Sequence, residues 1–96
     1  MPFKLTAVIK SSNPDKKWDA IFTQDGHSRT IPFGARGYTD YTLGATREQR
    51  DAYRARHNGD LKGNAMTAGY LSYYILWGAS RNMKSNIADY RRLFGF

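Results

Sequence analysis

Five arginines supply the chemistry this sequence is best equipped for, and that chemistry is grip rather than bond-making. Arg47, Arg50 and Arg54 recur at three- and four-residue spacing, which puts them on one stripe of a helix, with Arg56 beside them and Arg36 upstream. Guanidinium groups hold phosphates or carboxylates in forked, two-bond geometry. Glu48 and Asp51 offset only part of that charge, so the face reads as a partner-binding surface. The pattern suits backbone grip, since sequence-specific reading needs polar side chains aimed at base edges. Tyr38 and Tyr41 extend the candidate surface, because Tyr and Arg are residues that anchor protein contacts.

Catalytic groups are scarce. His27 and His57 are the only histidines, with Asp25, Asp40 and Asp60 as conceivable co-ligands, but no pair shows the helical spacing of a metal site. Turn and helix-end roles account for both. Ser28 beside His27 does not make a nucleophile, because sequence neighbours rarely form triads. Gly34-Ala35-Arg36-Gly37 lacks the Lys-Ser/Thr ending of a phosphate-binding loop and the spacing of a dinucleotide fingerprint. It reads as a tight turn that sets Tyr38 and Tyr41 against the core, with Asp40 capping local donors or pairing with an arginine. We expect no enzyme, no metal, no cofactor and no small-molecule substrate.

The elements that must position these residues follow from periodicity. Residues 3–10 alternate, with Phe3, Leu5, Ala7 and Ile9 on one face and Lys4, Thr6, Val8 and Lys10 on the other, as in a half-buried strand. Residues 11–17 form a turn around Pro14. Trp18 to Thr23 is a second strand facing Trp18, Ala20 and Phe22 together. Asp25-Gly26 signals a hairpin. Arg29 to Phe33 is a third strand that lies at an edge or ends early, because Pro32 has no N–H to donate.

Thr46-Arg47-Glu48-Gln49 fits a capping box and opens the arginine helix, which runs to about His57. Met66 to Gly78 is apolar on nearly every side when wound at 3.6 residues per turn, as befits a buried central helix, with Asn64 as its cap. It is too short to span a membrane. A last helix, about Ser80 to Leu93, carries Met83, Ile87, Tyr90 and Phe94 inward and leaves Lys84, Arg91 and Arg92 outside. The fold class is therefore α+β: a three-stranded antiparallel meander packed on a buried central helix, with two further helices, in one domain spanning residues 1–96.

Composition agrees. Apolar residues are 41% and charged ones 24%, within the globular range. Fifteen Lys and Arg against eight Asp and Glu give a net charge of +7, which favours anionic partners. No cysteine is present, so disulfides and thiolate metal sites are excluded. The N-terminal segment is too short and too alternating for a signal peptide.

Several strings carry a likeness to known proteins: Lys17-Trp18-Asp19-Ala20, the run Phe33-Gly34-Ala35-Arg36-Gly37-Tyr38-Thr39-Asp40-Tyr41-Thr42, Arg54-Ala55-Arg56-His57, Met66-Thr67-Ala68-Gly69, Leu71-Ser72, Ile75-Leu76-Trp77 and Asp89-Tyr90. In order and spacing the chain resembles, over roughly residues 16–94, a family of short basic proteins encoded by large double-stranded DNA viruses of algae and amoebae. Members usually have Tyr where Trp18 stands, and an Asn-Pro turn where this chain has Gly78-Ala79-Ser80. That family has no assigned activity, so the resemblance implies a viral origin and a place in the particle, and supplies no catalytic residues. The expectation is a non-enzymatic virion protein, a minor capsid or capsid-lining component. It would meet neighbouring virion proteins through Arg36, Arg47, Arg50, Arg54, Arg56, Tyr38 and Tyr41, and occupy host cytoplasm during assembly. The alternative is a protein that condenses viral DNA without sequence preference.

Overall fold

Alternation in the first third of the chain does produce strands. The computed structural model describes residues 2–96. Strands β1 (Lys4–Lys10), β2 (Lys16–Gln24) and β3 (His27–Ala35) form an antiparallel sheet in the order β1-β2-β3. β3, with its Pro32, therefore lies at an edge. Asp25 and Gly26 close the second hairpin with φ of 46° and 84°, the two positive values that a type I′ turn requires. Ala20, Phe22 and Phe33 are fully buried.

β1 departs from its expected phase. A bulge at Thr6 breaks the register between Leu5 and Ala7, and the Thr6 hydroxyl donates to the Ile21 carbonyl at 2.9 Å. One extra residue exchanges the two faces beyond it. Leu5 stays buried and Val8 packs against the core, while Ile9, expected inside, is 49% exposed.

After the sheet, a short 3₁₀ turn (Tyr41–Leu43) leads into α1 (Arg47–His57). Its capping box is complete: the Gln49 N–H donates to Thr46 Oγ1 at 3.1 Å and the Thr46 N–H to Gln49 Oε1 at 2.8 Å. The central helix is shorter than its apolar run. α2 is α-helical over Ala68–Leu71, capped by Thr67, and continues as a π-helical turn over Ser72–Leu76. Asn64 does not cap it but accepts from the Met66 N–H in the preceding turn. Even so, Thr67 is the one exposed residue between 66 and 78. The last helix, α3 (Met83–Phe94), starts later than expected, because the Asn82 side chain accepts from the Ser85 N–H and so sets its N-cap.

α2 ends inside the protein, and its carbonyls are met by side chains. In the widened turn the Trp77 N–H reaches the Ser72 carbonyl at 3.0 Å. Asn86 of α3, 1% exposed, donates to the Ile75 carbonyl at 2.8 Å and the Ser80 carbonyl at 2.7 Å, and accepts from the Ser80 N–H at 3.0 Å. Gly78 leaves room for that amide; a Cβ there would run into the Tyr74 carbonyl oxygen and the Asn86 side chain. Around this joint Tyr90 donates to the Ala65 carbonyl at 2.6 Å, and Phe22, Tyr90 and Phe96 pack ring against ring. Arg91, expected outside, donates to the Leu5 carbonyl at 2.9 Å, next to the bond from the Leu5 N–H to the Phe96 carbonyl.

Replacing Asn86 by Ala should therefore cost about 3 kcal/mol in urea unfolding, because it strands buried carbonyls. Lys84→Ala on the exposed side of the same helix should stay within about 0.5 kcal/mol.

Candidate functional site

The arginines of α1 do not act as one set. Arg54 turns inward: its Nη1 donates to the Trp77 carbonyl at 2.8 Å and the Tyr73 carbonyl at 3.3 Å. Its guanidinium carbon lies 4.2 Å from the Tyr73 ring centroid. Arg50 is half-buried over Tyr41, at 5.4 Å, with its Nε 3.9 Å from the Asp51 carboxylate. Arg47 and Arg56 remain exposed. Arg36 is exposed too, but is held in place by bonds to the Lys16 carbonyl at 3.0 and 3.2 Å. The candidate surface thus reduces to Arg36, Arg47 and Arg56, with Arg50 and Arg54 serving as struts between α1 and its neighbours.

The two candidate tyrosines also part company. Tyr41 is buried and covered by Arg81, which sits 4.3 Å from its ring and donates to the Ala45 carbonyl at 2.8 Å. Tyr38, expected on the core, is 74% exposed. The segment between them is fixed by Asp40, which is 1% exposed. Its carboxylate accepts from the Thr42 N–H and hydroxyl, and from Lys17 Nζ at 2.7 Å, with the Lys17 side chain 12% exposed. Asp40 so closes the loop onto β2, and pairs with a lysine where an arginine was one expectation.

A cleft opens on each side of Tyr38-Thr39-Asp40. One, of about 410 Å³, lies between this segment, the C-terminal turn of α1 and the π-helical turn. Tyr53, Arg56, His57, Ser72 and Trp77 line it. Within it Tyr53 stacks on His57 at 4.2 Å and on Trp77 at 4.4 Å. Two rings that close must take opposite faces of Tyr53, so the three form a ladder. His57 Nδ1 is 2.8 Å from Asp60, which fixes that ring. Gly34, with φ of 80°, lets the end of β3 approach Leu76; a Cβ there would lie 2.8 Å from Leu76 Cδ1. The second cleft, of about 570 Å³, is lined by Lys10, Trp18, Arg36, Thr42 and Leu43, and shares Lys17, Tyr38, Thr39 and Asp40 with the first.

Lys10, Lys17, Trp18 and Trp77 escaped the sequence reading. Both tryptophans counted as core, and both are half-buried, packing one side inward while lining a cleft. Their amphipathic rings were the available signal. His27 sits exposed in strand β3 and His57 beside Asp60; among the described residues no group of three His, Asp or Glu is placed to hold a metal ion. No helix among them is long and apolar enough to cross a membrane.

Residues 6–57, more than half of the chain, match a family of unknown function (DUF5754). The chain belongs to that family. The matched region runs from the bulge in β1 to the end of α1, so it holds the sheet, the Tyr38 loop and both exposed arginines of α1. No curated protein and no solved structure matches the chain.

The arginine division is testable by stability. Arg54→Met should cost about 2 kcal/mol, the value of charge-assisted bonds to partly buried carbonyls, whereas Arg47→Ala and Arg56→Ala should each change unfolding by about 0.5 kcal/mol or less. The tyrosines give a pH signature. Burial opposes ionisation of Tyr41, but hydrogen bonds and charge from Arg47, Arg81 and Arg50 outweigh it and bring the phenol below the ordinary tyrosine value. Tyr53 is pushed up by burial and then by the Asp60 charge, against a hydrogen bond from Ser72, and Tyr90 by burial alone. In alkaline titration followed by phenolate absorbance, Tyr41→Phe should remove a step that lies below the ordinary tyrosine value. Above about pH 10 the unfolded chain releases protons that Tyr53 and Tyr90 keep in the fold, so stability should fall as pH rises through that range.

Proposed function

We propose that this protein is a non-enzymatic structural protein that binds a neighbouring protein through an Arg/Tyr surface. The setting, from the resemblance to proteins of large DNA viruses, is a virus particle in which it serves as a minor capsid or capsid-lining component. One observation carries the binding reading. Tyr38 and Leu43 stand open, Leu43 at 65% exposure, on a loop tied to β2 by the Asp40–Lys17 pair; Arg36 lines the same cleft, and Arg47 is exposed at the start of α1. An aromatic ring and guanidinium groups on a preorganised loop lose little entropy on docking and are the residue types that dominate contact energies. Peptides of this chain should be recovered from purified particles in fixed ratio to the coat proteins, and a photo-crosslinker replacing Leu43 should join the chain to one of them. Absence from particles overturns the setting; crosslinks to nucleic acid alone overturn the protein partner.

The second reading, grip on nucleic acid without sequence preference, is favoured by the charge of the clefts. Their only acidic lining residue is Asp40, already paired with Lys17.

A further inference from the structure

We propose that the two clefts flanking Tyr38 form one track for single-stranded nucleic acid, with a base stacking in each and the phosphates held by Lys10, Arg36 and Arg56. The inference rests on the second reading above, that the anionic partner is a nucleic acid, and names the form that would fit.

Three observations carry it. The clefts share Lys17, Tyr38, Thr39 and Asp40, so they adjoin across a single exposed ring. Each has an aromatic wall: the His57–Tyr53–Trp77 ladder in one, Trp18 in the other. Each also has a cation that pairs with no acid among the described residues, Arg56 in the first and Lys10 with Arg36 in the second; Lys17 holds Asp40, and Asp60, at the edge of the first cleft, is held by His57. Aromatic faces alternating with cations along a groove are what a flexible strand with unpaired bases recognises. A duplex keeps its base faces stacked inside and offers only its backbone to the same residues. An acidic peptide would meet the cations but leave the ring walls without a partner of matching shape.

The two tryptophans of the chain lie one in each cleft, which makes the test direct. Titrating the full chain with an oligothymidylate of about twelve nucleotides, within the usual range of single-strand site sizes, should quench the fluorescence of both. Trp18→Phe and Trp77→Phe should each retain quenching from the tryptophan left. Three phosphate contacts predict a roughly 20-fold loss of affinity between about 50 and 200 mM salt. Tyr38→Ala, a change at an exposed ring that should not disturb folding, should weaken binding about tenfold. A hairpin duplex should compete at least about tenfold less well, and oligoglutamate less well still. Equal binding of duplex with silent tryptophans would overturn the track and leave the nucleic-acid reading standing. No binding of either form at low salt would overturn both. Quenching confined to one tryptophan, indifference to Tyr38→Ala, or equal competition by oligoglutamate would each overturn the track.

Discussion

A helix that ends against its neighbours leaves carbonyls that are partly or wholly cut off from water, and the rest of this fold is arranged to satisfy them. The last turn of α2 points such groups at its neighbours, and side chains from both flanking helices answer: Arg54 from α1 takes Tyr73 and Trp77, and Asn86 from α3 takes Ile75. An unpaired buried carbonyl costs more than a typical hydrogen bond contributes. Neither helix can therefore drift from α2 without exposing that cost. The sheet adds the apolar floor, Phe22 and Phe33, on which Leu71 and Ile75 rest. Polar bonds fix the angles between helices and apolar burial holds the layers together.

This constraint also explains why net charge was a poor guide to surface chemistry. Arg50 and Arg54, expected on the partner-binding face, and with them Arg81, lie over tyrosine rings or bond backbone carbonyls. Arginine suits such places because its guanidinium is weakly hydrated, planar and rich in donors. Of the five arginines expected on the surface, Arg36, Arg47 and Arg56 remain outward, and Lys10 is exposed at the end of β1. Function, on our proposal, belongs to the rim of the Tyr38 loop rather than to one face of α1.

Much of the architecture was legible in the residue pattern. The order of elements, the Asp25-Gly26 hairpin, the edge position of β3 and the Thr46 box follow from local chemistry, and local chemistry is written in neighbouring residues. What was illegible depends on distant partners. The bulge at Thr6 is decided by how β1 meets β2, so the phase of Ile9 could not be read from β1 alone. Tyr38 and Tyr41 have similar surroundings in sequence, and only the fold, through Arg81 and Asp40, separates a buried ring from a bare one. Lys17 read as a turn residue because its partner lies 23 positions away. The candidate site was found in part: its loop and Arg56 were anticipated, while Trp18 and Trp77 were hidden by their own hydrophobicity.

The π-helical turn carries one more consequence, for how this chain can change length. A turn closed by a bond over five residues holds one residue more than an α-helix needs there. Deleting one position within 72–76 would let the helix relax to regular winding and leave the residues beyond it close to their present places, because five residues of π winding turn through about as much as four of α. Trp77 would stay against Tyr53, and Gly78 against Asn86. The same deletion in a regular helix would swing everything beyond it by about 100°, so this stretch is where the chain can lose a residue.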